Sequence, residues 1–198
     1  TLSPPATNDR PATSCSPTPT ASHCPFPRKA STTLVKVKKS TPPAPGFLFR
    51  HPAHLIACGF GSGLSPWAPG TIGTLFALFS YPLLRPWFDD LGFALFLLVC
   101  YVGGVLACHR TGQALGEPDH GSIVWDEIVP FWAALFFSPE GWLWWIVAFF
   151  LFRFFDIVKP FPANRFDRIK NGFGVMTDDV FAAAYTVLCL ALLKFILA

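Results

Sequence analysis

Five apolar runs, at residues 72–84, 91–108, 128–137, 142–155 and 180–197, fill most of the chain beyond Phe47 and constrain its fold more than any motif does. Runs of this length, without the alternation of a half-buried strand, predict helices. The whole chain is 52% hydrophobic and only 14% charged, against roughly 25% charged in an ordinary soluble domain, so contact with lipid is expected. Only the second and last runs approach the ~20 residues that cross ~30 Å of hydrocarbon; the shorter ones need tilt, a kink or flanking turns to do so. The expected fold is all-α, a multi-helix membrane bundle of about four to five apolar helices with polar loops on one face. A soluble all-helical domain with a very apolar core is the alternative.

The segments between the runs differ in charge. Arg85, Asp89 and Asp90 separate the first two runs, and Ser138, Pro139, Glu140 and Gly141 separate the third from the fourth. Arg110, Arg153, Lys159, Arg165, Arg168 and Lys170 lie in the other connections. If every run crosses, the basic segments share one side, which the positive-inside rule makes cytoplasmic. Trp132, Trp142, Trp144 and Trp145 cluster near the poorly charged turn at Pro139, as an interfacial belt or as core packing.

Residues 1–46 hold ten of the twenty prolines with abundant Ser and Thr, a composition that predicts disorder, and one helical domain is expected over 47–198. No apolar h-region follows the charges of this stretch, so it does not read as a secretory signal. Residues 1–50 carry seven of the fifteen basic residues and one of the twelve acids, a net +6, which leaves the body at −3. An acidic, apolar body argues against a nucleic-acid partner, whereas the basic stretch at 28–39 suits an anionic lipid surface. Cys58, Cys100, Cys108 and Cys189 sit among apolar residues and are expected to be free, buried thiols. No Cys-x5-Arg, CxxC or HExxH occurs, which removes a thiolate phosphatase of that type and the usual zinc signatures.

Seven acids, Asp119, Asp126, Glu127, Asp156, Asp167, Asp178 and Asp179, fall in the two polar segments assigned to the basic side. Carboxylates beside apolar helices are costly unless paired or metal-bound. Two adjacent pairs, Asp126–Glu127 and Asp178–Asp179, recur at expected helix beginnings, where they suit oxygen ligands of a hard cation such as magnesium. Neighbours on a helix diverge by about 100°, so one member of each pair is expected to stand behind the other. The plainer reading is an N-terminal acid that stabilises a helix dipole.

Arg153 and Lys159 either form structural pairs three residues from Asp156 or present cations to a phosphomonoester. Arg165, Arg168 and Lys170 read equally well as headgroup anchors. His120 is a candidate general acid or a structural histidine. The glycine-rich stretch from Gly59 to Thr74, with Ser62, Gly70 and Thr71, offers backbone donors to phosphate or permits close helix packing.

The segments GFGSGLSPWAPGTIGT, DHGSIVWDE, FRFFDIVKPFP and FDRIKNGFGVMTDD, in this order and spacing, resemble the phosphatidylglycerophosphatase A family over about residues 47–198. The resemblance implies an all-helical, Mg2+-dependent phosphatase of glycerophospholipid synthesis that converts phosphatidylglycerophosphate to phosphatidylglycerol. It also implies a bacterial inner-membrane protein with its site toward the cytoplasm, although some relatives lack membrane spans. On this reading Asp126, Glu127, Asp178 and Asp179 hold magnesium, with Asp119 or Asp156 helping. Asp126, Glu127, Asp179 and His120 take part in catalysis. Arg153 and Lys159 clamp the phosphate, and the loop with Ser62, Gly70 and Thr71 adds donors. No Asp-x-Asp-x-Thr occurs, so direct attack by water is preferred over an aspartyl-phosphate. Pro130 stands where the family pattern suggests a small residue, and is expected to kink the helix behind Asp126 and Glu127.

Two rivals remain. A non-catalytic transport or assembly protein would place ionisable residues in mid-run, whereas the second, third and final runs hold no carboxylate. A soluble phosphatase for another phosphomonoester is the other. The sequence leaves the oligomeric state open.

Overall fold

The computed structural model describes residues 41–161, 163–166 and 171–197, and every regular element among them is helical. The helices are α1 (Pro52–Ala57), α2 (Pro69–Leu84), α3 (Asp90–Leu115), α4 (Trp125–Phe136), α5 (Trp142–Val158), α6 (Ala163–Phe166) and α7 (Gly172–Leu197). Short 3-10 turns occupy Pro45–Arg50, Gly59–Leu64 and Arg85–Trp87. The expectation for residues 1–46 falls almost wholly outside the described residues, as do Asp167, Arg168 and Lys170.

Local signals account for the helix ends. The Asp89 side chain accepts from the Gly92 amide at 2.9 Å and so caps α3, which stops at Gly116 in the left-handed region. Asn171 does the same for α7, accepting from Gly174 N at 2.8 Å. That cap lies nine residues ahead of the apolar run, and it corrects one expectation: Asp178 and Asp179 lie nearly two turns inside α7, not at its beginning. Pro130 does not break α4, which runs unbroken from Trp125 to Phe136 with Pro130 buried. Its missing N–H withdraws the usual helix donor from the Asp126 carbonyl.

α4 is the hub of the core. Ile128, Phe131, Ala134 and Leu135 are fully or almost fully buried, and α4 packs on α2, α3 and α7, with α7 also against α3 and α5. Trp132 belongs to this core, its Nε1 donating to the Ala77 carbonyl at 3.1 Å, whereas Trp142 is half exposed at the α4–α5 turn. Thus the tryptophan cluster serves both packing and surface.

Among the described residues α3 and α7, at 26 residues each, are the two helices long and apolar enough to cross a membrane, and only 28% and 22% of their most apolar windows are buried within the protein. α5 is shorter but shows an exposed stripe of Leu143, Ile146, Phe150, Phe154 and Ile157, spaced as one helix face. Apolar faces left this open on a monomer mark contact with lipid or another chain.

Candidate active site

One end of the bundle gathers the starts of α2 and α4, the first turns of α7 and the end of α5. The loop after α1 fixes the approach to α4: Val124 N donates to the Ala57 carbonyl at 2.9 Å, and a Cβ on Gly63 would stand 2.1 Å from the Ser122 carbonyl oxygen. Only glycine fits there. The glycine-rich stretch therefore acts as a close-packed support for residues 122–127, the second of its two sequence readings.

Glu127 sits at the centre of this support. Its carboxylate lies where a side chain on Gly70 would be, since a Cβ there would come within 1.8 Å of Oε1. Thr74 Oγ1 is 2.8 Å from Glu127 Oε2 and 2.9 Å from the Gly70 carbonyl, two acceptors for one hydroxyl proton. Arg153 Nη1 donates to Glu127 Oε2 and also pairs with Asp156 Oδ2 at 2.8 Å. Burial pushes Glu127 from 4.5 up to about 7, against the opposing pull of the Arg153 cation and with Asp156 adding to the rise.

The second acid pair is tied to the same helix. Lys159 Nζ pairs with Asp178 Oδ2 at 2.5 Å, and Asp178 Oδ1 accepts from the Asp179 amide at 3.0 Å. Lys159 caps α5 in the left-handed region with φ of 44°, a conformation costly for a residue with a side chain. Arg153 and Lys159 are six residues apart on α5, a rise of about 9 Å, so Glu127 and Asp178 share one small region.

Asp126 completes it. This carboxyl is buried, and its Oδ1 has no hydrogen-bond partner. Its pKa is raised well above the ordinary aspartate value, first by burial and then by the charges of Glu127, Asp119, Asp178 and Asp156. Asp179, also buried, lies within electrostatic reach of Asp156, Asp178, Asp126 and Glu127. Five buried or half-buried carboxyls thus share one region with two cations, and the exposed Asp119 lies within electrostatic reach of Asp126. Such an excess of buried negative charge is expensive without further positive charge.

As they stand, no three His, Cys, Asp or Glu side chains among the described residues enclose a metal position; Glu127 and Asp178 are turned onto Arg153 and Lys159 instead. The donor chemistry nevertheless fits a hard divalent cation. Every candidate ligand offers carboxylate oxygen, and Asp126 Oδ1 is a buried acceptor with nothing to accept from.

The remaining candidates are placed as follows. His120 is buried and its Nδ1 accepts from Ser122 N at 3.2 Å, so a neutral ring carries its proton on Nε2. Asp119 is exposed beside it. Ser62 Oγ donates to the Gly59 carbonyl at 2.8 Å, bracing its own loop. Thr71 is half-buried in the first turn of α2. Thr74, which the sequence reading passed over, is the hydroxyl that holds Glu127; its place one turn after Gly70 was the available signal. Cys58 is a buried thiol raised to about 11 by burial and by the Asp126 charge, so it is no nucleophile.

A family model for phosphatidylglycerophosphatase A matches residues 55–194, a span that contains every residue of this cluster. The chain belongs to the phosphatidylglycerophosphatase A family. It is similar to phosphatidylglycerophosphatase A of Haemophilus influenzae, 46% identical over 140 residues that cover 70% of this chain and 86% of that protein. Against phosphatidylglycerophosphatase A of Escherichia coli it is 44% identical over 139 residues, 67% of this chain and 77% of that one. A Bacteroides thetaiotaomicron protein, provisionally named a phosphatidylinositol-3-phosphatase, is 38% identical over 150 residues, 72% of this chain and 94% of its own. No solved structure matches. Membership of the phosphatidylglycerophosphatase A family makes this chain a phosphatase, and the carboxylates and cations at the α4–α5–α7 end are its candidate machinery.

Proposed function

We propose that this chain hydrolyses phosphatidylglycerophosphate to phosphatidylglycerol and phosphate, in glycerophospholipid synthesis, with magnesium held among Asp126, Glu127, Asp178 and Asp179 and with Asp119 or Asp156 in support. The observation that carries the reading is the buried, unpartnered Asp126 Oδ1 within a cluster of five carboxyls and two cations. When bound, magnesium would neutralise phosphate charge and lower the pKa of a water.

The protein's own groups supply the rest. Arg153 and Lys159 are already oriented by Glu127, Asp156 and Asp178, and they offer charge-assisted donors to the non-bridging phosphate oxygens. The reaction adds a water oxygen to phosphorus, breaks the P–O bond to glycerol and returns a proton to the leaving oxygen. A Glu127 carboxylate oxygen not bound to the ion would accept the water proton. Protonated Glu127 can then return that proton to the leaving oxygen, to which the neutral His120 ring offers only an Nε2–H hydrogen bond.

The same reading puts α3 and α7 across a bacterial inner membrane with the acid-rich end at the cytoplasmic face. The exposed stripe on α5 and the mostly unburied faces of α3 and α7 support it. The headgroup then reaches the polar end while the acyl chains stay in the leaflet.

A second reading, hydrolysis of a phosphoinositide, is favoured only by the relative at 38% identity. Purified full-length chain offered both lipids in mixed micelles separates the two. Expected is rapid phosphate release from phosphatidylglycerophosphate and little from phosphatidylinositol 3-phosphate; the reverse preference would replace the first reading with the second.

A further inference from the structure

An apolar groove of about 470 Å3 runs between α4 and α7. Ala133 and Phe137 line one wall, and Val180, Ala184, Leu188 and Ala191 the other. We propose that this groove receives one acyl chain of the lipid whose phosphate is removed, an inference that rests on the diacyl substrate named above.

Nearness to the acid cluster is the first support. Val180, which lines the groove, follows Asp178 and Asp179 in α7, so the groove begins within one helical turn of the carboxylates, which leave α7 on other faces. Its length is the second. From Val180 to Ala191, α7 advances about 16 Å, close to half of the ~30 Å hydrocarbon core that one leaflet contributes. α4 packs against α7, and the exposed Phe137 just past the last residue of α4 lines the groove.

Alanine is what makes the groove. Ala133, Ala184 and Ala191 leave room that leucine or phenylalanine would fill, and no charged residue lines the walls. Because lipid tails are as apolar as the groove itself, the site gains little affinity from hydrophobic transfer. Its effect is orientation: a chain held along α7 points the phosphomonoester at Asp126, Arg153 and Lys159. Ala133, Ala184 and Ala191 are therefore positioning residues that discriminate by chain length.

The test compares phosphate release from long-chain and from short-chain, water-soluble phosphatidylglycerophosphate, using the wild type, Ala184→Phe and the milder Ala191→Leu. The ratio of long-chain to short-chain kcat/KM is expected to fall about tenfold in Ala184→Phe and less in Ala191→Leu, with short-chain turnover retained. Should Ala184→Phe lose short-chain turnover as well, it has failed to fold and Ala191→Leu decides the matter. An unchanged ratio in folded variants, with the wild type active on both lipids, overturns the groove assignment and leaves the substrate reading intact. So does a variant that merely shifts the oligomeric state in detergent, which would give the groove to a second copy of the chain. A wild type that releases phosphate from neither lipid removes the substrate reading, and the groove assignment with it.

Discussion

Glu127 combines three surroundings that sequence alone brings together only in part: the Gly70 backbone, the Thr74 hydroxyl and the Arg153 guanidinium. The acid pairs were legible from their adjacency in a chain poor in charge. Their division of labour was not, because it depends on which way each side chain leaves its helix. Asp126 turns into the interior without a partner for Oδ1, while Glu127 turns to α2 and α5. A pH dependence follows. Glu127 has a folded value of about 7 against 4.5 ordinarily, so between these limits the folded chain binds more protons than the unfolded one. Its contribution is complete below 4.5 and is lost as pH rises through about 7. Thermal melts in EDTA are expected to show falling stability across that window, with the fall reduced in Glu127→Gln. A slope that is the same in both proteins would show that another group is responsible. Lys159 makes a second case. Lys159→Gly removes the cation on Asp178 but relieves the left-handed strain, so it is expected to be about 1 kcal/mol more stable than Lys159→Ala, with both losing phosphatase activity to a similar degree. Equal stability of the two variants would mean that the left-handed turn carries no strain.

The helices themselves were readable from the apolar runs, and four of the five begin within about three residues of expectation. α7 is the exception. Its start at Gly172 depends on a tertiary fact: a Cβ at that position would sit 2.2 Å from the Val105 carbonyl on α3, so glycine lets the helix begin against a neighbour. Pro130 lies inside a helix that dense packing around α4 keeps continuous. The glycines ahead of α2 also have a packing purpose that the motif did not declare. Gly70→Ala should improve helix propensity by about 1 kcal/mol, yet its Cβ would displace the Glu127 carboxylate. Phosphate release is expected to drop by on the order of 100-fold, the scale of a misplaced reacting group, with helix content by circular dichroism unchanged. Activity near that of wild type would place Glu127 outside the chemistry.

For the whole molecule, composition pointed to lipid, and α3, α5 and α7 carry the exposed apolar faces that explain it. The number of crossings was less legible because a buried helix and a membrane helix have the same composition: α4 is one of the most apolar segments in sequence, and it is the buried hub of the fold. The proposed function rests on the meeting, at one end, of acids from α4 and α7 with cations from α5. The most direct test is a magnesium titration of phosphate release from phosphatidylglycerophosphate, using purified full-length chain in mixed micelles, beside Asp126→Asn and Asp179→Asn. Expected are no turnover in EDTA, recovery on adding magnesium, and a loss of at least about 100-fold in each variant while membrane insertion is retained. Full turnover in EDTA, or near-normal turnover in both variants, would contradict the assignment of these carboxylates to a divalent cation.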